Sequence, residues 1–270
     1  MQGRVLICAG SDSGGGAGIQ ADIKAVTALG GFAMTAITAL TAQNTQGVFG
    51  VEEVSPAFIR QQIQLVLDDL GADAVKTGML HRPEVIAAVA ETVAAHAPGV
   101  ALVVDPVMVA KGGHKLLNDD AHETLKAKLL PMAAVLTPNI PEAEALTGLM
   151  ITGPDQMIEA GRALLALGPK AVLVKGGHME GETLVDLLLS ADGAVHRFEG
   201  QRIHSGNTHG TGCTLASSIA CGLAQGLGLR EAVARARDYV RIAIETAPGF
   251  GKGHGPLNHA HTVHPFGAPS

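Results

Sequence analysis

Short runs of mainly apolar residues alternate with helical segments along most of the chain. Such runs lie at residues 4–9, 74–77, 101–105 and 171–175. Apolar runs of this length, without polar alternation, are typical of strands buried on both faces. Strands that alternate with helices favour a parallel arrangement. The sequence therefore predicts an α/β fold with a mainly parallel central sheet and helices on both faces.

The remaining segments complete this pattern. Further strands are predicted at residues 34–41, 48–54 and 134–137, with a hairpin at 183–189 and 194–198. Helices are predicted at residues 19–29, 55–69, 83–95, 120–130, 141–146, 155–167, 212–225 and 230–246. No linker-like, repeated or low-complexity tract interrupts them. We therefore predict a single domain over residues 1–258 and a C-terminal tail over residues 259–270.

Composition narrows the class of protein. Hydrophobic residues make up 47% of the 270 residues, which allows a large core. The net charge of −6 and the aromatic content of 3% give no footprint of nucleic-acid binding. The three cysteines lack C-x-x-C spacing, and no apolar run reaches the roughly 18 residues of a membrane span. We expect a reduced, cytoplasmic enzyme that binds neither nucleic acid nor membrane.

Polar or glycine-rich residues follow the predicted strands where the strands end. In an open parallel sheet, ligands bind beyond the carboxyl ends of the strands. The segments at these ends are residues 10–12, 43–44, 77–79, 105–108, 137–139 and 175–178. We therefore expect one site along one edge of the sheet.

Residues 205–214, with the sequence SGNTHGTGCT, run directly into a predicted helix. A helix start with free backbone N–H groups binds anions, and Gly210 and Gly212 would let the backbone approach one closely. Cys213 in the first turn would be favoured as a thiolate, and so as a base or nucleophile. The alternative is an ordinary cap with a buried thiol.

The first glycine cluster, at residues 14–18, fits neither common nucleotide fingerprint. A Rossmann pattern beginning at Gly14 needs glycine where Ile19 stands, and no Walker pattern is present. These glycines could still admit a flat ligand close to the backbone. Asp22, one turn into the next helix, either faces that ligand or is a solvated helix residue.

Oxygen ligands and a point charge lie at three other strand ends. Asp105, Asn139 and Glu142 could hold Mg²⁺ directly or through water, and Lys175 could contact a phosphate. Residues 139–142 could equally form only a turn and a helix start. Combined with an anion hole, these groups point to phosphoryl transfer, which depends mainly on positioning and charge neutralisation.

Four histidines near the C-terminus, His254, His259, His261 and His264, allow a zinc interpretation. They lie in a Gly- and Pro-rich stretch without neighbouring cysteines or carboxylates, which favours a mobile tail.

Six segments resemble the hydroxymethylpyrimidine/phosphomethylpyrimidine kinases of thiamine biosynthesis, within the ribokinase-like superfamily. They are AGSD with GIQAD at residues 9–22, TALTAQNT at 38–45, DPVM at 105–108, TPN at 137–139, KGGH at 175–178 and NTHGTGCT at 207–214. The resemblance runs in order over nearly the whole chain. It implies a ribokinase-like fold and two successive ATP- and Mg²⁺-dependent phosphorylations of 4-amino-5-hydroxymethyl-2-methylpyrimidine.

The resemblance also implies roles for residues at matching positions. The pyrimidine pocket would be lined by Gly10, Asp22, Gln43, Met79 and Val107, with Asp22 and Gln43 hydrogen-bonding the ring. The phosphoryl group would lie in an anion hole of Gly210, Thr211 and Gly212, and Cys213 would activate the hydroxymethyl oxygen. Lys175, Asn139 and Thr211 would contact ATP, and Asp105 and Glu142 the metal. Some members carry Glu at position 43, and many carry Pro where Ser13 stands.

Other functions remain open at this point. A pyridoxal kinase would act on a similar flat ring with a hydroxymethyl arm. A non-catalytic nucleotide- or pyrimidine-binding sensor could use the same pocket. A sugar kinase of the same fold is disfavoured because position 213 is not Asp. A homodimer is the expectation from the family.

Overall fold

The computed structural model of the chain describes residues 1–108 and 120–264. Its nine strands form one sheet in the order β3-β2-β1-β4-β5-β6-β7-β8-β9. They are β1 (Arg4–Asp12), β2 (Phe32–Asn44), β3 (Gly47–Glu53), β4 (Ala74–Thr77), β5 (Ala101–Val104), β6 (Val135–Leu136), β7 (Ala171–Val174), β8 (Thr183–Ser190) and β9 (Val195–Gln201). Six neighbouring strands, β2, β1, β4, β5, β6 and β7, pair in parallel. Strand β3 pairs antiparallel with β2, β8 pairs antiparallel with β7, and β9 pairs antiparallel with β8.

Helices cover both faces of the sheet. They are α1 (Gly18–Ala28), α2 (Pro56–Asp69), α3 (Pro83–His96), α4 (Ala121–Thr124), α5 (Ile140–Thr147), α6 (Pro154–Leu165), α7 (Thr211–Ala224) and α8 (Leu229–Glu245). One core lies between the sheet and α2, α3, α5 and α6, and the other between the sheet and α1, α7 and α8. The predicted mainly parallel α/β architecture is confirmed. No described helix is long and apolar enough to cross a membrane.

The predicted helix at residues 120–130 is interrupted. Only Ala121–Thr124 is α-helical, and it is followed by a π-helical turn, Leu125–Leu129, and a 3₁₀ turn, Leu130–Met132. Pro131 accounts for the end of the helix, because it has no N–H to donate to a preceding turn. Apolar periodicity identified the buried face here but could not distinguish these helix types.

The chain directly after residue 258 is anchored to two helices. His259–Thr262 form a 3₁₀ turn in which His259 is only 8% exposed. The Tyr239 hydroxyl of α8 lies 3.2 Å from the His259 carbonyl oxygen and 3.3 Å from its Nδ1, and Thr262 Oγ1 donates to the Ala28 carbonyl at 3.0 Å. This turn therefore packs against α1 and α8, and the domain boundary at residue 258 stays a prediction. Residues 265–270 lie outside the described residues.

Among the described residues, no three His, Cys, Asp or Glu side chains lie close enough together to hold a metal ion. Burial, with the nearby charges of Lys24 and His261, lowers the pKa of His259 to about 4. The packed segment therefore carries a neutral His259 at physiological pH.

We expect acid to release this segment. Between pH 6.5 and 4 the released His259 binds a proton that the packed form does not, so packing weakens by up to about 1.4 kcal/mol per pH unit as the pH falls. Hydrogen exchange of residues 259–264 should accelerate from pH 7.5 to pH 5, after correction for intrinsic rates. His259→Phe should remove most of this acceleration, whereas His254→Phe, at an exposed position, should retain it. Equal behaviour of the two variants would contradict this origin.

Candidate active site

A large cavity of about 1090 Å³ opens along the carboxyl edge of the parallel strands. It collects nearly all of the residues that the sequence assigns to a site. They are Gly10, Gln43, Met79, Asp105, Val107, Asn139, Glu142, Lys175, Gly210, Thr211, Gly212 and Cys213. The predicted convergence on one edge of the sheet is therefore observed.

The N-terminus of α7 faces into this cavity. Gly210 precedes the helix with φ +81°, a left-handed conformation that favours glycine. A Cβ at Gly210 would lie 1.9 Å from the Gly16 carbonyl oxygen, so only glycine fits the contact between the two loops. The first N–H groups of a helix have no intrahelical partner, and here those of Gly212 and Cys213 lie at the cavity. This arrangement is suited to an anion.

Asp12 holds the first glycine-rich turn against the loop before α7. Its carboxylate accepts from the N–H groups of Gly14, Gly16 and Ala17 at 2.8–3.0 Å, and His209 Nε2 lies 2.9 Å from Oδ2. Burial alone would raise the pKa of Asp12, but these hydrogen bonds together lower it. The carboxylate thus remains charged and ties the two loops together.

Gln43 reaches the cavity beside this network. As placed, its Nε2 lies 3.2 Å from His209 Nε2, which must carry the proton shared with Asp12. Its Oε1 lies 3.1 Å from Thr41 Oγ1, whose proton is donated to the Ser11 carbonyl. Turning the Gln43 amide by 180° places its oxygen, an acceptor, toward the His209 N–H and its NH₂ group, a donor, toward Thr41 Oγ1. Both neighbours then have a suitable hydrogen-bond partner. One amide N–H and one oxygen lone pair then remain for a ligand.

Gly10, Met79 and Val107 form a further wall of the cavity. The Met79 and Val107 side chains pack together with the buried Ala39. A Cβ at Gly10 would lie 3.2 Å from Met79 Sδ, so glycine at this position keeps the wall open. The wall and the amide could hold a flat ring with polar edges.

A buried ion pair lies next to the start of α7. Lys175 Nζ is 3.2 Å from Asp105 Oδ1, and Thr137 Oγ1 lies 3.2 Å from the same oxygen. A Cβ on Gly212 would lie 3.5 Å from Lys175 Nζ and 3.6 Å from Asp105 Oδ2. Burial alone would lower the pKa of Lys175, but Asp105 and Glu142 raise it. The ammonium charge is therefore kept beside the anion-binding turn.

Glu142 and Asn139 form a capping box at the start of α5. The Asn139 N–H donates to Glu142 Oε2 at 2.8 Å, and the Glu142 N–H donates to Asn139 Oδ1 at 2.9 Å. Residues 139–142 thus form a turn and a helix start, and Glu142 also lines the cavity. Burial and the neighbouring Asp105 raise the pKa of Glu142 to about 7, although the charge of Lys175 lowers it.

The donor set of this corner fits Mg²⁺. Asp105 and Glu142 are buried carboxylates, and the charge of Asp105 raises the pKa of Glu142. A hard dication relieves such repulsion and accepts carboxylate oxygens, with water or phosphate completing its coordination.

The structure corrects the expected state of Cys213. The residue lies in the first turn of α7, as predicted, but burial raises the pKa of its thiol to about 12 against the effect of Lys76. The free protein therefore holds a neutral thiol, since desolvation exceeds the effect of the helix terminus.

Asp22 does not line the cavity. Its side chain is fully buried, both carboxylate oxygens lie 2.9 Å from Lys76 Nζ, and Ser217 Oγ donates to Oδ1 at 2.7 Å. Direct contact with a flat ligand and the alternative of a solvated helix residue are both wrong for this structure. Sequence reasoning missed Lys76 because its strand reads as an ordinary buried run. It also missed Asp12 and His209, although Asp two residues before Gly14 is a turn signal.

The far end of the cavity is formed by β9 and α8. Its lining there includes Gly200, Arg202, Arg237, Val240 and Ile244. Arg237 Nε donates to Asp186 Oδ2 at 2.8 Å, and its guanidinium lies over the Phe198 ring at 5.4 Å. This end extends the cavity well beyond the volume that a single small ring needs.

The phosphomethylpyrimidine kinase family profile matches residues 12–258. Over 259 residues the chain is 54% identical to a thiamine biosynthesis bifunctional protein of Geobacter sulfurreducens, covering 96% of this chain and 52% of that relative. The chain therefore spans about half of that relative's length. It is 48% identical to a hydroxymethylpyrimidine/phosphomethylpyrimidine kinase of Rhizobium meliloti, covering 97% of this chain and 98% of the relative.

Two solved structures are similar to this chain over most of its length. The crystal structure of a phosphomethylpyrimidine kinase from Clostridium difficile matches with a TM-score of 0.79 and 45% identity, over 89% of this chain and 99% of that one. An ADP complex of Bacillus subtilis pyridoxal kinase matches with a TM-score of 0.89 and 34% identity, over 96% and 98%. The ribokinase-like fold is thus established.

We expect Gly210→Ala to disable anion binding. The added Cβ would meet the Gly16 carbonyl oxygen and displace the start of α7, so affinity for a non-hydrolysable ATP analogue should fall at least about tenfold. Gly226→Ala is the matched control, because Gly226 also has positive φ, at +86°, but has no atom within 4 Å of the added Cβ. Both variants should lose about 1–2 kcal/mol of unfolding free energy from backbone strain. Calorimetric titration should detect weakened binding of the analogue only for Gly210→Ala, and equal weakening would contradict the contact.

Proposed function

The chain belongs to the phosphomethylpyrimidine kinase family, and we propose that it is a bifunctional, ATP-dependent kinase of thiamine biosynthesis. It phosphorylates 4-amino-5-hydroxymethyl-2-methylpyrimidine to the monophosphate and then to the diphosphate. The observation that carries this proposal is the convergence of the α7 N-terminus, Lys175, Asp105 and Cys213 at one point of the cavity. Transfer of a phosphoryl group needs such a cluster of donors and charges more than it needs covalent chemistry.

The pyrimidine ring lies against the wall of Gly10, Met79 and Val107. The amide of Gln43 donates to a ring nitrogen and accepts from the exocyclic amine, using the N–H and the lone pair that its neighbours leave available. A ring with one acceptor and one donor on adjacent positions matches that edge. The hydroxymethyl arm then points toward Cys213.

The γ-phosphoryl group of ATP lies at the start of α7. The N–H groups of Thr211, Gly212 and Cys213 and the ammonium of Lys175 neutralise its charge, while Asn139 adds a polar contact to the phosphates. Asp105 and Glu142 hold Mg²⁺, which supplies Lewis-acid neutralisation of the phosphate oxygens. The adenosine portion occupies the far end of the cavity, between β9 and α8.

Cys213 accepts the proton of the hydroxymethyl group as its oxygen attacks phosphorus. This role needs the thiolate, whereas the free protein holds the thiol. Deprotonation therefore has to be supported within the loaded site, and the charges around Cys213 become part of the mechanism.

The enzyme works in the cytoplasm as a homodimer. The described cysteines, Cys8, Cys213 and Cys221, are all unpaired, which suits a reducing compartment. Large apolar side chains remain exposed on one flank of the monomer, among them Leu40 and Phe49 of the β2–β3 hairpin and Phe58 and Leu65 of α2. Such exposure at a sheet edge supports association with a second copy.

A second function, pyridoxal kinase, is favoured by the match to the Bacillus subtilis pyridoxal kinase, which has a higher TM-score than the phosphomethylpyrimidine kinase structure. Pyridoxal also has a flat ring with a hydroxymethyl arm. The Gln43 amide favours the aminopyrimidine, because pyridoxal carries no exocyclic amine to donate to it.

We expect Cys213→Ala to lower kcat by about 10²–10⁴-fold, the usual contribution of a general base, with ADP affinity nearly unchanged. Cys221→Ala is the control, since Cys221 lies on the same helix but is buried away from the cavity. Phosphorus NMR of the wild-type reaction should detect ADP, the monophosphate and then the diphosphate. Near-normal turnover of Cys213→Ala would remove the proposed base, and absence of ADP formation by the wild type would indicate a sensor.

Substrate preference tests the two kinase functions. We expect kcat/KM for the hydroxymethylpyrimidine to exceed that for pyridoxal by at least about tenfold, because Gln43 would lose a hydrogen bond to pyridoxal. Gln43→Leu should reduce this ratio, mainly by lowering kcat/KM for the pyrimidine. A preference of the wild type for pyridoxal would assign the second function instead.

A further inference from the structure

An ion pair is buried beneath the cavity floor. Lys76 of β4 and Asp22 of α1 have no exposed side-chain surface, and Lys76 Nζ donates to both carboxylate oxygens at 2.9 Å. A buried pair commonly adds little stability over an apolar pair of similar volume, because both charges must be desolvated. Its presence at the centre of the sheet therefore invites a functional explanation.

The pair lies directly below the proposed catalytic thiol. Ser217, which donates to Asp22, is one helical turn after Cys213 on α7. Gly18, one turn before Asp22 on α1, supplies a backbone hydrogen bond to Cys213. These contacts between α1 and α7 place the Cys213 thiol about one helical turn from the Lys76–Asp22 ion pair.

Lys76 also approaches the cavity floor from the sheet. A Cβ added at Gly78 would lie 3.1 Å from Lys76 Nζ, and Gly78 lines the cavity. Gly78, which has no side chain, therefore lies between the Lys76 ammonium and the cavity in which the reaction takes place.

The charges around Cys213 come from several elements. Lys76 of β4 favours its thiolate, whereas Asp22 of α1 and Asp105 after β5 disfavour it. Lys175 after β7 lies next to Gly212, in contact with Asp105. Each of the two lysines is paired with one of these carboxylates, and of the four charges that of Lys76 has the largest effect on the thiol.

We propose that Lys76 is a positioning residue whose ammonium, kept protonated by Asp22, stabilises the thiolate of Cys213 below the substrate hydroxyl. This inference rests on the proposed role of Cys213. Its direct consequence, the reactivity of one thiol in the free enzyme, is measurable without substrate.

The proton and charge balance needs no proton from Lys76. The substrate oxygen forms a bond to the γ-phosphorus, its proton moves to Cys213 Sγ, and the bond from phosphorus to the bridging oxygen of ADP breaks. The thiolate becomes a thiol, and its negative charge is carried away on the phosphorylated products. Lys76 remains protonated throughout and acts only through its charge.

The test is the rate of alkylation of Cys213 by iodoacetamide, measured by peptide mass spectrometry from pH 7 to 10. The isosteric double variant Lys76→Met/Asp22→Asn should slow alkylation at a fixed pH by about tenfold, equivalent to one unit in the thiol pKa. Asp22→Asn alone should also slow it, because the buried Lys76 then loses the carboxylate that keeps its ammonium charged. Ser218→Ala is the control: its hydroxyl is buried on the same helix, has no hydrogen-bond partner in the described residues, and should change nothing.

Slower alkylation in both variants would support the proposal, whereas an unchanged or faster rate in the double variant would overturn it. If the double variant does not fold, Asp22→Asn decides, and an unchanged or faster rate overturns the proposal. In turnover assays the double variant should lose at least tenfold in kcat with KM for the pyrimidine unchanged. Failure of the pyrimidine kinase function would appear separately, as absence of ADP formation by the wild type, and leaves the alkylation result interpretable.

Discussion

The contact between two glycine-rich loops determines where the site can form. Gly210 lies so close to the Gly16 carbonyl that no side chain fits, and the pairing of Asp12 with His209 fastens the same loops from beside the contact. One loop follows β1 and the other precedes α7, so their approach joins the flat-ring wall to the anion-binding turn. The positions of Cys213 and Gln43 relative to each other depend on this contact.

Much of the architecture follows from local pattern. Apolar runs without alternation could be satisfied only by strands covered on both faces, and polar residues at their ends converged because parallel strands share an edge. The KGGH segment was identifiable because it follows a buried strand directly, and the GTGC turn because small residues run directly into a helix. These features need only short stretches of sequence, which is why the fold and the part of the cavity at the strand ends could be predicted, whereas the end formed by β9 and α8 could not.

Contacts between residues that lie far apart in the sequence could not be predicted from local pattern. Asp22 reads as a helix residue and Lys76 as an interruption of a strand, and only the packing of α1 on the sheet brings them together. The acidity of Cys213 was misjudged for a related reason, because helix position is local whereas desolvation depends on everything packed around the thiol. The anchoring of His259 depends likewise on Tyr239, twenty residues earlier on α8.

The order of the strands divides the cavity into two mechanically different halves. Gly10, Lys76, Met79 and Val107 lie on or shortly after β1, β4 and β5, and each of these strands has a neighbouring strand on both sides. The far wall is carried partly by β9, the outermost strand, which is attached to the sheet only through β8. An edge hairpin has fewer neighbours to resist bending, so we expect the width of the cavity to change more readily at this end than at the wall of Gly10, Met79 and Val107. A ligand too wide for the cavity would therefore be accommodated first at this hairpin.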